Sequence, residues 1–195
     1  MALHSQNDAQ PGEPAATLEG QLREMYGRAA YTHKTHEKMA DRYFARYKMF
    51  KTIEIVLSAA TASSLLLAVL GDTHLGTVVG AAFSAILLGF TLYFKEAGLT
   101  EKAQKHSEVA SNLWAIREAL LSLLVDMNDG RDVGQIRVER DHINERLKQI
   151  YASAPRTDGP AYRAAQKALK EGGELFFSDD ELDRMLPRQL RKNLD

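Results

Sequence analysis

Apolar and charged residues fall into separate blocks along this chain. Charged side chains are dense up to Lys51 and again from Lys95 onward. Between these blocks, residues 55–94 contain one carboxylate, that of Asp72, and no lysine or arginine. Soluble proteins rarely collect their apolar residues in this way, since core and surface positions alternate along each element. The pattern therefore predicts segments that cross a membrane.

Two stretches of the apolar block are long enough to span a bilayer. A helix needs about 20 apolar residues to cross ~30 Å of hydrocarbon. Residues 75–94 carry no acidic or basic side chain, whereas residues 53–70 are more polar and begin with Glu54, whose carboxylate can reach the headgroup region. The connection at residues 71–74 suits a tight helical hairpin and is too short for a separate domain.

The distribution of lysine and arginine predicts the orientation of this hairpin. Basic residues flank the two spans on their outer sides, and the connecting loop has none: they are Arg42, Arg46, Lys48, Lys51, Lys95, Lys102 and Lys105. Positive charge near a span favours the cytoplasmic side. We therefore expect a multi-pass protein of the cell inner membrane with both termini in the cytoplasm. The first 20 residues are polar and do not resemble a secretory signal, so we expect a disordered tail.

Heptad spacing on either side of the hairpin predicts further helices. Seam positions alternate four and three residues apart from Leu22 to Phe50 and from Leu99 to Met127, with Arg117 as the one charged residue in the second seam. A third seam fills residues 131–153 and ends before Pro155. Beyond it, Pro160 suits the first turn of a short helix, and a capping box, a serine paired with a glutamate three residues later, predicts another at residues 178–181.

The predicted fold class is all-α, a two-transmembrane helical hairpin whose long helices continue into a cytoplasmic helical bundle. The predicted domains are a tail at 1–20, a hairpin domain at 21–155 and short helices at 156–195. Within the second domain we expect cytoplasmic helices at 21–52, 95–128 and 131–153. The first should run through Lys51 into the first span and the second should continue from the second span through Lys95, with a kink possible at Gly98. The alternative is a soluble bundle, which would have to bury the uniformly apolar helix at 75–94 beneath its amphipathic helices.

Small residues recur at the spacing of helix contacts in the second span. They form two rows with a period of four: Gly76, Gly80 and Ser84, and Ala81, Ala85 and Gly89. Such rows let membrane helices approach closely. Two interpretations remain open, packing within the hairpin and self-assembly into a homo-oligomer. In the second, the hydroxyl groups of Ser58, Thr61 and Ser64 would line a pore.

Three histidines are candidates for a polar switch layer between the long helices. His33 and His36 are three residues apart on one helix face, and folding the hairpin about its loop brings His106 close to Tyr43. Polar residues in a helical seam specify register, and histidine titrates near neutral pH, so a pH-sensitive layer is one interpretation. A metal site needs three convergent ligands with supporting partners, which this spacing does not predict.

Composition argues against several other functions. The chain has no cysteine, which excludes disulfides, zinc–thiolate sites and cysteine nucleophiles. A net charge of -1 gives no reason to expect nucleic-acid binding. Nucleophile elbows, phosphate-binding glycine loops and dinucleotide-binding motifs are missing. We therefore expect no enzymatic activity and no cofactor, and we expect the lipid bilayer to be a partner.

The chain resembles the SLATT family, the two-transmembrane effectors associated with nucleotide-second-messenger synthetases (SMODS) and SLOG sensor domains. The resemblance covers roughly residues 22–162. It rests on YTHKTHEKMADRY before the first span, IVLSA within it, EKAQKHSEVASNLWAIRE after the second span and IYASAPRTDGPAY at the end of the third helix.

The resemblance implies a membrane effector of a bacterial anti-phage or other conflict system. Such a protein is expected to form pores or disrupt the membrane when a partner or a nucleotide second messenger triggers it. The partner would be the synthetase or a sensor protein, and no catalytic residues carry over. The alternative is a membrane-anchored scaffold, in which the hairpin only tethers an interaction bundle.

Overall fold

The computed structural model describes residues 17–71 and 74–192. Within these ranges every regular element is a helix. The elements are α1 (Leu18–Gly71), α2 (His74–Ala97), α3 (Leu99–Asn128), α4 (Val133–Ser153), α5 (Gly159–Lys170), α6 (Asp179–Met185) and a 3-10 turn at Arg188–Leu190. The predicted all-α class is confirmed.

Helix α1 is continuous over 54 residues and passes through Lys51 without a break. It begins three residues before the expected start at 21, because the Thr17 hydroxyl accepts a hydrogen bond from Gly20 N–H at 3.1 Å and satisfies one of the free donors of the first turn. The expected tail otherwise falls on residues 1–16, which lie outside the described residues. The loop predicted at residues 71–74 lies between the two spans. Helix α1 ends at Gly71 and α2 begins at His74, and residues 72–73 are likewise not described.

A break at Gly98 separates α2 from α3, within the expected helix at 95–128 and at the glycine where a kink is possible. Gly98 has φ +56°, a left-handed conformation that glycine adopts without steric penalty and that ends many helices. Helix α3 restarts at once, with Lys102 N–H donating to Gly98 O at 3.0 Å.

Both apolar segments are exposed. None of the most apolar window of α1 is buried, and 6% of the corresponding window of α2 is. Large side chains such as Leu70 and Val69 remain more than four-fifths exposed. The core of a soluble protein would cover such surfaces. The exposure therefore favours a hairpin surrounded by lipid over the soluble bundle.

The described residues form two compact units. The first comprises α1 up to Lys34, α3 from Val109 and α4, and the second comprises Thr35–Glu108 and the residues from Pro155 onward. A single apolar core holds the first unit together; it consists of Leu22, Met25, Ala29, Val109, Leu113, Ile116, Leu120, Leu123, Ile136, Ile143 and Leu147.

Arg117 is a charged residue within the buried part of the first unit, and only 9% of it is exposed. Its Nη2 lies 3.0 Å from Glu118 Oε1. Its Nε and Nη1 are buried and have no hydrogen-bond partner among the described residues. By contrast, Arg140 donates to Gln21 at 2.7 Å and pairs with Asp141 at 2.7 Å.

The C-terminal helices begin where Pro160 and the capping box predict. The Asp158 carboxylate accepts a hydrogen bond from Ala161 N–H at 2.8 Å at the start of α5, with Pro160 in the first turn. Ser178 and Glu181 form the predicted capping box of α6. The fully buried residues of α5 are alanines, at positions 161, 165 and 168.

Candidate functional site

The two helices of the hairpin approach each other closely near the start of α2. A Cβ atom added at Gly76 would lie 2.9 Å from Ala68 N and 3.1 Å from Ser64 O. One added at Gly80, which is buried, would lie 3.2 Å from Leu65 Cδ2. A Cβ atom is almost never found within 3.0 Å of a backbone atom. Gly76 therefore allows the contact with α1, whereas the atom nearest to a Cβ at Gly80 is the end of the flexible Leu65 side chain, which can move aside.

The other members of the two predicted small-residue rows lie on the exposed surface of α2. We call Ala81, Ser84, Ala85 and Gly89 the outer row, since all four are exposed. A Cβ atom added at Gly89 would meet nothing within 4 Å. The two predicted rows thus differ: the first is split between the helix contact and the surface, and the second lies wholly on the surface.

Each hydroxyl group of the candidate pore-lining residues is satisfied within α1. Ser58 donates to Glu54 O, Thr61 to Leu57 O and Ser64 to Ala60 O, each at 2.8 Å. This bond to the carbonyl one turn earlier lets a hydroxyl lie in an apolar environment. Ser58 is exposed, whereas Thr61 and Ser64 are half-buried. Of the three, Ser58 is the one presented to the surroundings.

Aromatic rings cluster at the other end of the hairpin. The Phe50 ring lies 5.4 Å from that of Phe90 and 5.7 Å from that of Phe94, which in turn contacts Tyr47 at 5.5 Å. An ion pair between Lys51 and Glu54 at 2.8 Å lies beside them on α1. Tyrosine, which Tyr47 adds to this cluster, is enriched at the membrane–water interface, where charged side chains also lie. The cluster marks where the apolar segments end.

A buried histidine pair joins α1 to α3 in the second unit. His36 Nδ1 lies 2.9 Å from His106 Nδ1, and each residue is only 2% exposed. The ring of Tyr43 stacks on that of His106 at 5.7 Å. The predicted proximity of His106 to Tyr43 is confirmed. His33 belongs to the first unit and lies with its Nδ1 2.9 Å from Ala110 O.

The geometry restricts the protons that these histidines can hold. A hydrogen bond between two ring nitrogens needs a proton on one of them and a lone pair on the other, so the pair cannot be doubly protonated and keep this contact. Burial lowers the pKa of His106, and the carboxylate of Asp158 acts in the opposite direction. His33 Nδ1 must carry a proton, because a carbonyl oxygen only accepts.

Two ion pairs attach the segment around α5 to α1. Arg42 Nη1 donates to both oxygens of Asp158, at 2.6 and 2.7 Å. Lys38 Nζ donates to Glu174 at 3.2 Å. The guanidinium of Arg42, followed by the N–H of Ala161, holds the pKa of the Asp158 carboxyl below its ordinary value. Asp158 and Glu174 therefore bind side chains of α1 that are one helical turn apart.

Sequence reasoning missed these ion pairs. The charge of Arg42 is already explained by the predicted orientation of the hairpin, Asp158 lies just before the short helix predicted at Pro160, and 116 residues separate the two. No local periodicity connects positions so far apart. The described residues contain no group of three or more histidine, cysteine or acidic side chains that could hold a metal ion.

Comparison with known families gives one finding. The model of a family described as "SMODS and SLOG-associating 2TM effector domain family 4" matches residues 18–181. The match extends from the first residue of α1 into α6 and includes both apolar segments. Comparisons with curated proteins and with solved structures gave no match.

Proposed function

We propose that this chain, which belongs to the SMODS and SLOG-associating 2TM effector domain family 4, permeabilises the membrane as the effector of a bacterial anti-phage or other conflict system. The family and the two exposed apolar helices make it a membrane protein with two spans. Placement in the inner membrane with both termini in the cytoplasm is part of the proposal and follows from the flanking basic residues.

The outer row is the observation that carries this proposal. Small side chains on a lipid-facing surface give no packing advantage to a hairpin that stays alone, whereas they let helices of neighbouring copies approach closely. Ser58 adds an exposed hydroxyl group on the other helix of the hairpin. Assembly of several hairpins into a homo-oligomer would bring such groups together and give water a path.

Activation is assigned to a partner rather than to this chain. A synthetase, a sensor protein or a diffusible nucleotide would bias the chain from a closed to an assembled packing, which requires that it bind one packing more tightly than the other. Shifting the two states from 1:99 to 99:1 takes about 5.5 kcal/mol of differential binding. The chain itself is proposed to be non-enzymatic.

Induced expression in bacteria with a membrane-potential dye tests this function. Wild type is compared with Gly89→Leu, which fills the outer row, and with Val78→Leu, which changes an exposed apolar residue without changing its character. Overproduction should raise the assembled fraction by mass action even without the trigger, so at equal protein levels we expect wild type and Val78→Leu to depolarise cells and Gly89→Leu to lose this activity. Depolarisation by all three would contradict the role of the outer row. No depolarisation by any variant, even with the partner supplied, would favour the membrane-anchored scaffold.

A further inference from the structure

Residues 158–174, which we call the clamp segment, are attached to α1 at both ends. Arg42 binds Asp158 at the start of the segment, and Lys38 binds Glu174 at its end. Lys38 and Arg42 are one helical turn apart, so both ends of the segment hold the same short stretch of α1. We infer that the clamp segment holds α1 in the closed packing and that its release activates the hairpin. This inference rests on the proposed function.

The site of attachment can influence the membrane span directly. Helix α1 is continuous from Lys38 into the apolar segment. At 1.5 Å per residue, Arg42 lies ~17 Å along the axis from Ile53 at the start of that segment. The same stretch of α1 carries His36 and Tyr43, which contact His106 on α3. A change in how α1 is held here is therefore transmitted along one rigid element.

The clamp segment is held weakly, as a releasable element must be. In the two ion pairs the side chains are between 23% and 42% exposed, and partly exposed pairs contribute little to stability. The fully buried positions of α5 are three alanines, and Leu169 is only half-buried. A helix of 12 residues is marginal without tertiary support. Loss of the ion pairs should therefore loosen the whole segment.

Helix α4 shows the contrast within the first unit. Its buried face carries Ile136, Ile143 and Leu147, which belong to the apolar core. Each of these side chains buries several more methyl and methylene groups than an alanine does, so α4 is held by apolar packing rather than by charge. We expect α4 to stay packed under conditions that release α5.

The test removes the two acidic charges and leaves the helix signals intact. In the clamp variant, Asp158→Asn/Glu174→Gln, the asparagine remains a good N-cap for α5. The matched control, Asp179→Asn/Glu145→Gln, makes the same chemical changes in two exposed lysine pairs elsewhere. We expect hydrogen exchange in residues 159–170 to rise about two- to fivefold per lost pair in the clamp variant, and to stay unchanged in the control.

Leakage from dye-loaded liposomes that contain the full-length chain is measured beside exchange. The clamp variant should leak severalfold faster than wild type without any trigger. Liposomes with the charge-swap variant, Lys38→Glu/Glu174→Lys, should leak at the wild-type rate because the swap keeps the ion pair. Liposomes with Lys38→Glu alone should leak faster. Faster exchange without faster leakage overturns the inference, and so does unchanged exchange. Wild-type leakage at a raised protein-to-lipid ratio then shows separately whether the proposed function stands.

Discussion

Replacing Gly76 by alanine should weaken the contact between α1 and α2. The new Cβ atom would lie 2.9 Å from Ala68 N and 3.1 Å from Ser64 O, and both are backbone atoms that cannot swing away. Forcing an extra methyl group into a packed contact typically costs about 1–3 kcal/mol. Alanine regains up to about 1 kcal/mol in helix propensity over glycine. We expect a net loss of about 1–2 kcal/mol at this contact.

Because the chain has no cysteine, an engineered disulfide between α1 and α2 can measure this effect. A Cβ atom at Gly80 would lie 3.5 Å from Ser64 Cβ, which is within the range of a disulfide. The pair Ser64→Cys/Gly80→Cys should therefore form an intramolecular disulfide in a chain that has no other thiol. The equilibrium constant for forming this disulfide in a redox buffer reports how closely the helices are held. A loss of 1–2 kcal/mol at the contact should lower that constant about 5- to 30-fold.

Gly89→Ala is the matched control, because a Cβ atom there would meet nothing within 4 Å. Measured in detergent at low protein density, it should leave the disulfide equilibrium unchanged. The reasoning is refuted if Gly76→Ala forms the disulfide as readily as the parent, or if Gly89→Ala weakens it equally.

Two further predictions concern buried polar groups. Arg117→Met/Glu118→Gln should stabilise the first unit by about 1–4 kcal/mol, because the double change removes a buried charge with two unsatisfied nitrogens together with the carboxylate that pairs with it. Arg140→Met should destabilise the unit, because Gln21 loses its hydrogen-bond partner. Hydrogen exchange of α3 in the full chain measures both effects, and exchange that is no slower in the double variant than in wild type would refute the first prediction. The lowered pKa of His106 means that the unfolded chain binds more protons, so its stabilisation is present above the ordinary value of 6.5 and is lost as the pH falls below it. The loss of stability is at most about 1.4 kcal/mol per pH unit. His106→Gln should remove this pH dependence from the hydrogen exchange of residues 35–52. An unchanged pH profile in that variant would show that another group titrates.

The fold followed from local patterns. The two spans, the capping box at Ser178 and the proximity of His106 to Tyr43 each depend on periodicity or on a motif a few residues long, which the chain itself displays. The sequence does not decide between a kink and a break at Gly98, because a glycine can continue a helix or end it in a left-handed conformation.

The candidate site was predictable only in part. Both small-residue rows of α2 share the same spacing, so the sequence does not indicate which one faces α1; the approach of Gly76 to Ala68 decides it. His33 and His36 share a helix face, yet one bonds to a backbone carbonyl and the other to a histidine. The ion pair of Arg42 with Asp158 depends on tertiary folding alone.

Dye release from liposomes at increasing protein-to-lipid ratio tests the central claim most directly. If copies assemble through the outer row, release by wild type should rise more steeply than in proportion to the ratio. Gly89→Leu should remove this rise, and Val78→Leu should preserve it. Liposomes that stay sealed at every ratio, with wild type and with the clamp variant alike, would contradict the account.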